Sequence, residues 1–353
     1  SMKIEVVGLG AGDLDQMPRG VYERLRKADH LYLRTAEHPA AKQLQQAGVS
    51  FTSFDEVYDQ TERFEETYEM IVDRLLQAAK TGDVVYAVPG HPMVAEKTVQ
   101  LLLEEQKKQR VQVEIAGGQS FLDAVFAALQ IDPIEGCQIV DAANASADEL
   151  EIRHHLLFVQ VYDQMTASHV KLALMERLPD DYAVAIVEAA GSKCEMVRYV
   201  PLYELDREAS TSQLRAVYVP PVRDESLRYG EFSKLRKVIA YLRGPNGCPW
   251  DRKQTHDSLK KYLIEETEEV LEAIDSRDPE HLVEELGDLL LQVMLHAQIG
   301  EDEGYFTIDD VIRTLTEKMI RRHPHVFGDL KIDNEDELKK VWEEIKRKEK
   351  GKR

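Results

Sequence analysis

Apolar positions change their spacing once along this chain. Up to about residue 220, short β-type runs alternate with stretches of helical period. Strands are predicted at Lys3–Gly8, 30–34, 83–88 and 111–115, with helices over 19–28, 38–47 and 64–80 and from Val94 onward. That alternation predicts a mostly parallel sheet with its ligand crevice at the C-terminal ends of the strands. From residue 137 strand-like runs dominate (137–140, 155–162, 182–188, 196–204, 215–219), broken by one helix at 165–177, so a second α/β lobe with a mixed sheet is expected. Pro220-Pro221 and the mixed charges after them read as a linker over 221–229. Beyond Phe232 the period is helical throughout, at about 232–243, 256–275, 279–300, 307–323 and 334–348. The expected fold is therefore an α/β bilobal domain over 2–220, followed by an all-α helical domain over 230–353.

Two helical stretches in the last third carry matched carboxylates. Ile264-Glu265-Glu266-Thr267-Glu268-Glu269-Val270 and Val283-Glu284-Glu285-Leu286-Gly287-Asp288-Leu289 are joined by the breaker Asp275-Ser276-Arg277-Asp278-Pro279. Leu263, Thr267, Val270, Leu271 and Ile274 form one apolar stripe, and Leu282, Leu286, Leu289, Leu290 and Val293 form the other. Glu266 and Glu269 flank the first stripe as Glu285 and Asp288 flank the second. Paired as a hairpin, the helices bring four carboxylates together, which demands a counter-charge. A hard divalent cation, Mg2+ above all, supplies one. A solvated acidic face is the bland alternative, and the repetition in register weighs against it. Gly287, inside a helix, points to close helix approach or a functional role. Lys318 and Arg322 share one helix face further on, and Trp342 and Lys346 share another, a supply of phosphate-binding cations and a stacking ring.

Composition narrows the class. A net charge of −20 argues against nucleic-acid binding by the whole chain. Cys137, Cys194 and Cys248 form no disulfide or zinc spacing, which fits a reducing compartment. No apolar run reaches membrane-spanning length and no signal segment opens the chain, so a cytoplasmic protein without a membrane partner is expected.

Three glycine loops follow the predicted strands of the first lobe: G-L-G-A-G-D at 8–13, P-G-H-P at 89–92 and A-G-G-Q-S at 116–120. Taken in order they resemble the tetrapyrrole (corrin/porphyrin) methylase family, over roughly residues 2–220. The resemblance implies two lobes around a cleft that binds S-adenosylmethionine. It places contacts on Leu9, Gly10 and Ala11, on Gly90, His91 and Val94, and on Ser120 and Phe121, with second-lobe contacts near Val161 and Tyr162. The family's second loop is G-D-P, whereas here it is G-H-P, so His91 replaces a carboxylate. The methyl acceptor, a small molecule, is not identified by the sequence.

The last third is similar to the MazG family of all-α nucleoside triphosphate pyrophosphohydrolases. Its E-E-x-x-E and E-x-x-D motif stands as Glu265, Glu266, Glu269, Glu285 and Asp288, with L-R-G-P-N-G-C-P-W-D at 242–251, R-R-H-P-H-V-F at 321–327 and W-x-x-I-K at 342–346. The resemblance implies Mg2+, with Mn2+ as the alternative, on Glu266, Glu269, Glu285 and Asp288. It implies Glu265 as the water-handling group, and nucleotide contacts at Lys318, Arg322, Trp342 and Lys346. It further implies cleavage of nucleoside triphosphates to monophosphate and pyrophosphate, and a homodimer through the helical domain. The order of the two domains resembles two-domain bacterial proteins of the YabN type, which implies a longer parent chain. Two other functions stay open at this stage: S-adenosylmethionine-dependent methyl transfer, and ligand sensing that regulates a partner.

Overall fold

The computed structural model describes residues 2–207 and 215–352, and these divide into two units, Ser1–Asp224 and Glu225–Arg353. The first unit opens with β1 (Lys3–Gly8), α1 (Arg19–Lys27), β2 (Leu31–Leu33), α2 (Pro39–Gln46), β3 (Thr52–Ser53), α3 (Asp55–Gln60), α4 (Phe64–Ala79), β4 (Val84–Val88), α5 (Lys97–Lys107) and β5 (Gln112–Ile115). The strands lie in the order β3-β2-β4-β1-β5, and every pair is parallel. Burial on both faces explains why β4 reads Val-Val-Tyr-Ala-Val without alternation. On one face Val21 and Leu25 of α1 and Leu44 of α2 pack with Val7, Leu31 and Leu33. On the other, Val57 of α3, Ile71 and Leu75 of α4 and Leu102 of α5 pack with Ile4, Val6 and Tyr86.

Next come α6 (Phe121–Leu129), β6 (Cys137–Asp141), β7 (His155–Val159), α7 (Gln164–Met175), β8 (Ala183–Glu188), β9 (Met196–Pro201) and β10 (Arg215–Val219). The second sheet runs β6-β7-β10-β8-β9. It is mixed, with β6 parallel to β7 and the other pairs antiparallel. Helix α6 follows the last strand of the first sheet, yet it packs on the second. Its Val125, with Phe121, Leu122 and Phe126, covers Leu157, Val159, Ala185, Val187 and Ala216. The glycine loop at 116–120 is therefore the crossing from one lobe to the other.

The second unit is helical: α8 (Phe232–Leu242), α9 (Pro249–Lys253), α10 (Lys260–Ser276), α11 (Pro279–Asp302), α12 (Ile308–Arg322), α13 (Pro324–Phe327) and α14 (Glu335–Lys350). The helix read over 256–275 begins at Lys260, and the breaker-rich loop before it holds the short α9, entered through Pro249 at the first helical position. Residues 225–228, read as linker, form a 3-10 turn beside the Arg228–Glu231 and Lys234–Glu225 ion pairs. The α10–α11 corner is set locally. Arg277 takes a left-handed conformation (φ 54°) at the end of α10, and Asp278 caps α11 by accepting from the Glu280 N–H at 3.0 Å.

One expectation about this hairpin needs correction, and its stripes need placing. The core of the unit is built from Ile239, Leu259, Met294, Leu295, Ala297, Ile299 and Ile308. The two apolar stripes lie largely outside it, with Leu263, Leu271 and Ile274 on α10 and Leu286, Leu290 and Val293 on α11 exposed. Val270 is the stripe member that is buried. Periodicity identified apolar faces, and in this chain they stay largely open to solvent. Gly287 marks no close helix approach either, because a Cβ there would meet nothing within 4 Å. Among the described residues no helix is long and apolar enough to cross a membrane.

Candidate metal centre and ligand cleft

The α10–α11 hairpin brings Glu266, Glu269, Glu285 and Asp288 together, with one carboxylate oxygen from each lying within 4.8 Å of all the others. Desolvation, the Glu269 charge and a hydrogen bond with Glu269 push Glu266 up to about 7. Glu285 is also raised, first by its hydrogen bond with Glu269 and then by desolvation. One oxygen of Glu266 and one of Glu285 are buried without a hydrogen-bond partner. Buried polar atoms are nearly always satisfied, so two orphaned carboxylate oxygens beside two further acids fit a cation-binding donor set. An all-oxygen donor set suits Mg2+ or Mn2+. Glu265 is exposed at the edge of the same helix.

His281, which the motif did not single out, sits one turn before Glu285 with its Nε2 at 3.5 Å from Oε1. A histidine four residues ahead of a metal-motif acid was the available signal. The basic residues do not neutralise the cluster within one chain. Lys318 and Lys346 make no hydrogen bond or ion pair among the described residues. Arg322 pairs with Glu349 at 3.0 Å. Trp342 is half-buried, donates Nε1–H to the Arg322 carbonyl at 2.6 Å and meets the His323 ring edge-on at 5.7 Å. It is thus pinned along one edge rather than a free platform.

In the first unit the three glycine loops lock together through the backbone. Gly8 N–H donates to Gly117 O at 3.0 Å, Leu9 N–H to Val88 O at 2.7 Å, and Gly10 and Gly90 exchange N–H to O bonds at 3.1 and 3.0 Å. A Cβ on Gly8 would overlap the Gly90 carbonyl, so that glycine serves loop packing. Gly90 (φ +66°) and Gly117 face open space instead. The Leu9 side chain is core, and so is Val161. Leu9 therefore has only its carbonyl left for a ligand. Tyr162 is 49% exposed. Ala11, Val94, Ser120 and Phe121 are partly buried. Ser120 caps α6 through the Leu122 N–H at 3.2 Å, and His91 Nδ1 accepts from the Met93 N–H at 3.0 Å, which leaves Nε2 free to meet a ligand. His38 also serves the loop: Nδ1 accepts from the Ala40 N–H at 3.0 Å, so Nε2–H donates to the Gly10 carbonyl at 2.6 Å. Burial lowers its pKa, and the neutral ring fits both bonds.

The sequence reading also missed a buried ion pair at the strand ends. Arg34, after β2, lies with Nε 3.1 Å from Glu96 Oε2 and donates Nη1–H to the Tyr58 hydroxyl at 2.7 Å. Burial pushes Glu96 up to about 7 against the pull of Arg34. Ala95 and Gln160 hold positive φ (55° and 61°) on loops that follow β4 and β7, local strain of a kind that gathers at functional sites. The raised acid gives a signed expectation. Its contribution to stability is full below the unfolded value near 4.5 and is lost as pH rises through 7, a change of about 3 kcal/mol. Glu96→Gln should remove that slope. The check is the parent-minus-variant difference in unfolding free energy at pH 5 and pH 8, and equal differences would refute it.

Fold and site together define a two-part molecule, a bilobal methylase-type domain joined to a helical carboxylate-cluster domain. The chain belongs to the tetrapyrrole (corrin/porphyrin) methylase family, whose model matches residues 3–206, and it carries a MazG nucleotide pyrophosphohydrolase domain matched over 254–327. It is similar to the uncharacterized protein YabN of Bacillus subtilis, 62% identical over 99% of this chain and 71% of that protein. Residues of the helical unit are similar to the nucleoside triphosphate pyrophosphohydrolase/pyrophosphatase MazG of Thermotoga maritima, 58% identical over 35% of this chain and 46% of that protein. A solved structure of a candidate diphthine synthase from Entamoeba histolytica shares the first unit's fold (TM-score 0.50, 16% identity, 65% of this chain and 96% of that one).

Proposed function

We propose that the helical unit hydrolyses nucleoside triphosphates to the monophosphate and pyrophosphate. The observation that carries this reading is the closure of Glu266, Glu269, Glu285 and Asp288 to within 4.8 Å around unsatisfied oxygens, and the MazG match supports it. These four residues would hold Mg2+ or Mn2+, which when bound supplies positive charge to phosphate oxygens and makes water more acidic. The protein's own groups do the rest. Glu265 orients a water or takes its proton. Lys318, Arg322 and Lys346 meet phosphate oxygens, and the open face of Trp342 receives the base. A single stacking ring discriminates weakly, so broad base tolerance is expected. The test is pyrophosphate release from a panel of ribo- and deoxyribonucleoside triphosphates with and without chelator. Orthophosphate as the product, or rates insensitive to chelation, would reject the reading.

The unit works as a homodimer in this proposal. Leu263, Ile264, Leu271 and Ile274 on α10 and Val283, Leu286, Leu290 and Val293 on α11 are exposed apolar side chains, and contiguous exposed apolar surface marks interaction sites.

For the first unit the family match favours a second reading, binding of S-adenosylmethionine. The backbone at Gly90 and Gly117 borders open space that a ligand could approach closely, and the free Nε2 of His91 offers one hydrogen bond. Gly10, Ala11, Val94, Ser120, Phe121 and the Leu9 carbonyl would complete the contacts. The bound group would supply an activated methyl, with a small molecule as acceptor. Calorimetry with S-adenosylmethionine tests it, and absence of binding would leave the cleft to another ligand.

A further inference from the structure

The end of α12 is held by α14 in a way the nucleotide reading does not require but can use. Arg321 and Arg322 close α12, where cations already suit the helix dipole. Helix α14 nevertheless brings a carboxylate to both. Glu349 Oε1 accepts from Arg321 Nε at 2.6 Å, and Oε2 accepts from Arg322 Nη2 at 3.0 Å. Trp342, two turns earlier on the same face of α14, bonds the Arg322 carbonyl. Arg322 is thus gripped at both ends, its backbone by Trp342 and its guanidinium by Glu349. Among the described residues its Nη1 has no partner, and its Nε is buried without one. Two arginines against one glutamate leave the group one positive charge, so it still attracts an anion.

We propose that Glu349 is a positioning residue for polyphosphate binding, fixing Arg322 so that its unpartnered Nη1 meets phosphate oxygens. The proposal rests on the nucleotide reading above. A long arginine loses rotamer freedom when it engages a ligand, and a side chain fixed beforehand loses less. Glu349 does not compete with the phosphate, because it occupies Nη2 and divides its charge with Arg321. Its own pKa, drawn down to about 2 by Arg322 and Arg321, keeps it ionised throughout the working range.

The experiment is a double-mutant cycle on ATP hydrolysis with parent, Glu349→Gln, Arg322→Ala and the double variant, with melting curves alongside. Glu349→Gln should raise KM about tenfold and hold kcat within twofold, while in the Arg322→Ala background the same change should do nothing further. Glu349→Asp keeps the charge but is one methylene short, so its KM should fall between parent and Gln. Equal fold-losses in both backgrounds, a fall in kcat together with melting temperature, or an unchanged KM would make Glu349 a helix staple and overturn the proposal. Failure of the nucleotide reading itself is seen separately, in a parent that hydrolyses no nucleoside triphosphate.

Discussion

Replacing Glu269 with alanine should lower kcat/KM for pyrophosphate release by about three orders of magnitude, roughly 4 kcal/mol of transition-state stabilisation. Glu269 is the hub of the cluster, since it is the neighbour that raises both Glu266 and Glu285. Its loss removes one donor oxygen and separates the α10 and α11 halves of the site. The same change relieves like-charge repulsion, so the metal-free variant should melt no lower than the parent. Mg2+ should separate the two proteins further. At a hundredfold excess over Kd a ligand stabilises the folded state by about 2.7 kcal/mol, so the parent's melting temperature should rise with Mg2+ and the variant's should not. Initial rates and paired melting curves check this. A variant within tenfold of the parent, or equal Mg2+ shifts in both, would count against the cluster as a metal centre.

If the helical unit pairs as proposed, Leu286→Glu should convert the dimer into a monomer at micromolar concentration. Leu286 is exposed on α11, one turn from Val283 (70% exposed) and from Leu290, and Leu271 and Ile274 of the paired helix α10 are exposed too. Burying one such side chain contributes about 1.5–3 kcal/mol, and a buried unpaired carboxylate costs more than that contribution. Because Leu286 is not part of the single-chain core, the substitution should leave the monomer's helical circular dichroism intact. Sedimentation equilibrium of parent and variant decides the matter. A parent that sediments as a monomer would show that this face serves something other than a second copy.

What the sequence revealed follows from the range of each interaction. The hairpin and its four acids were legible because helical period and a constant offset between two motifs are local properties. The β/α alternation of the first sheet was legible for the same reason. Periodicity also found the apolar faces of α10 and α11, but not that they lie outside the core of the unit. The packing of α6 on the second sheet was hidden, since helix spacing says nothing about which sheet a helix will cover. Long-range pairs such as Arg34 with Glu96 and Arg322 with Glu349 obey no spacing rule. Trp342 was read as a stacking ring, and its hydrogen bond to the Arg322 carbonyl emerged only when α12 and α14 were seen side by side. The glycine loops were read as ligand contacts, and the structure divides them: Gly8 serves backbone packing, while Gly90 and Gly117 face open space.

The most direct measurement is phosphorus NMR of ATP incubated with Mg2+ and either the parent chain or Glu269→Ala. The parent should convert the three phosphate resonances into those of AMP and pyrophosphate, with no orthophosphate, while the variant's spectrum stays that of ATP over the same interval. ADP and orthophosphate from the parent, or AMP and pyrophosphate at equal rates from both, would contradict a pyrophosphohydrolase centred on Glu266, Glu269, Glu285 and Asp288.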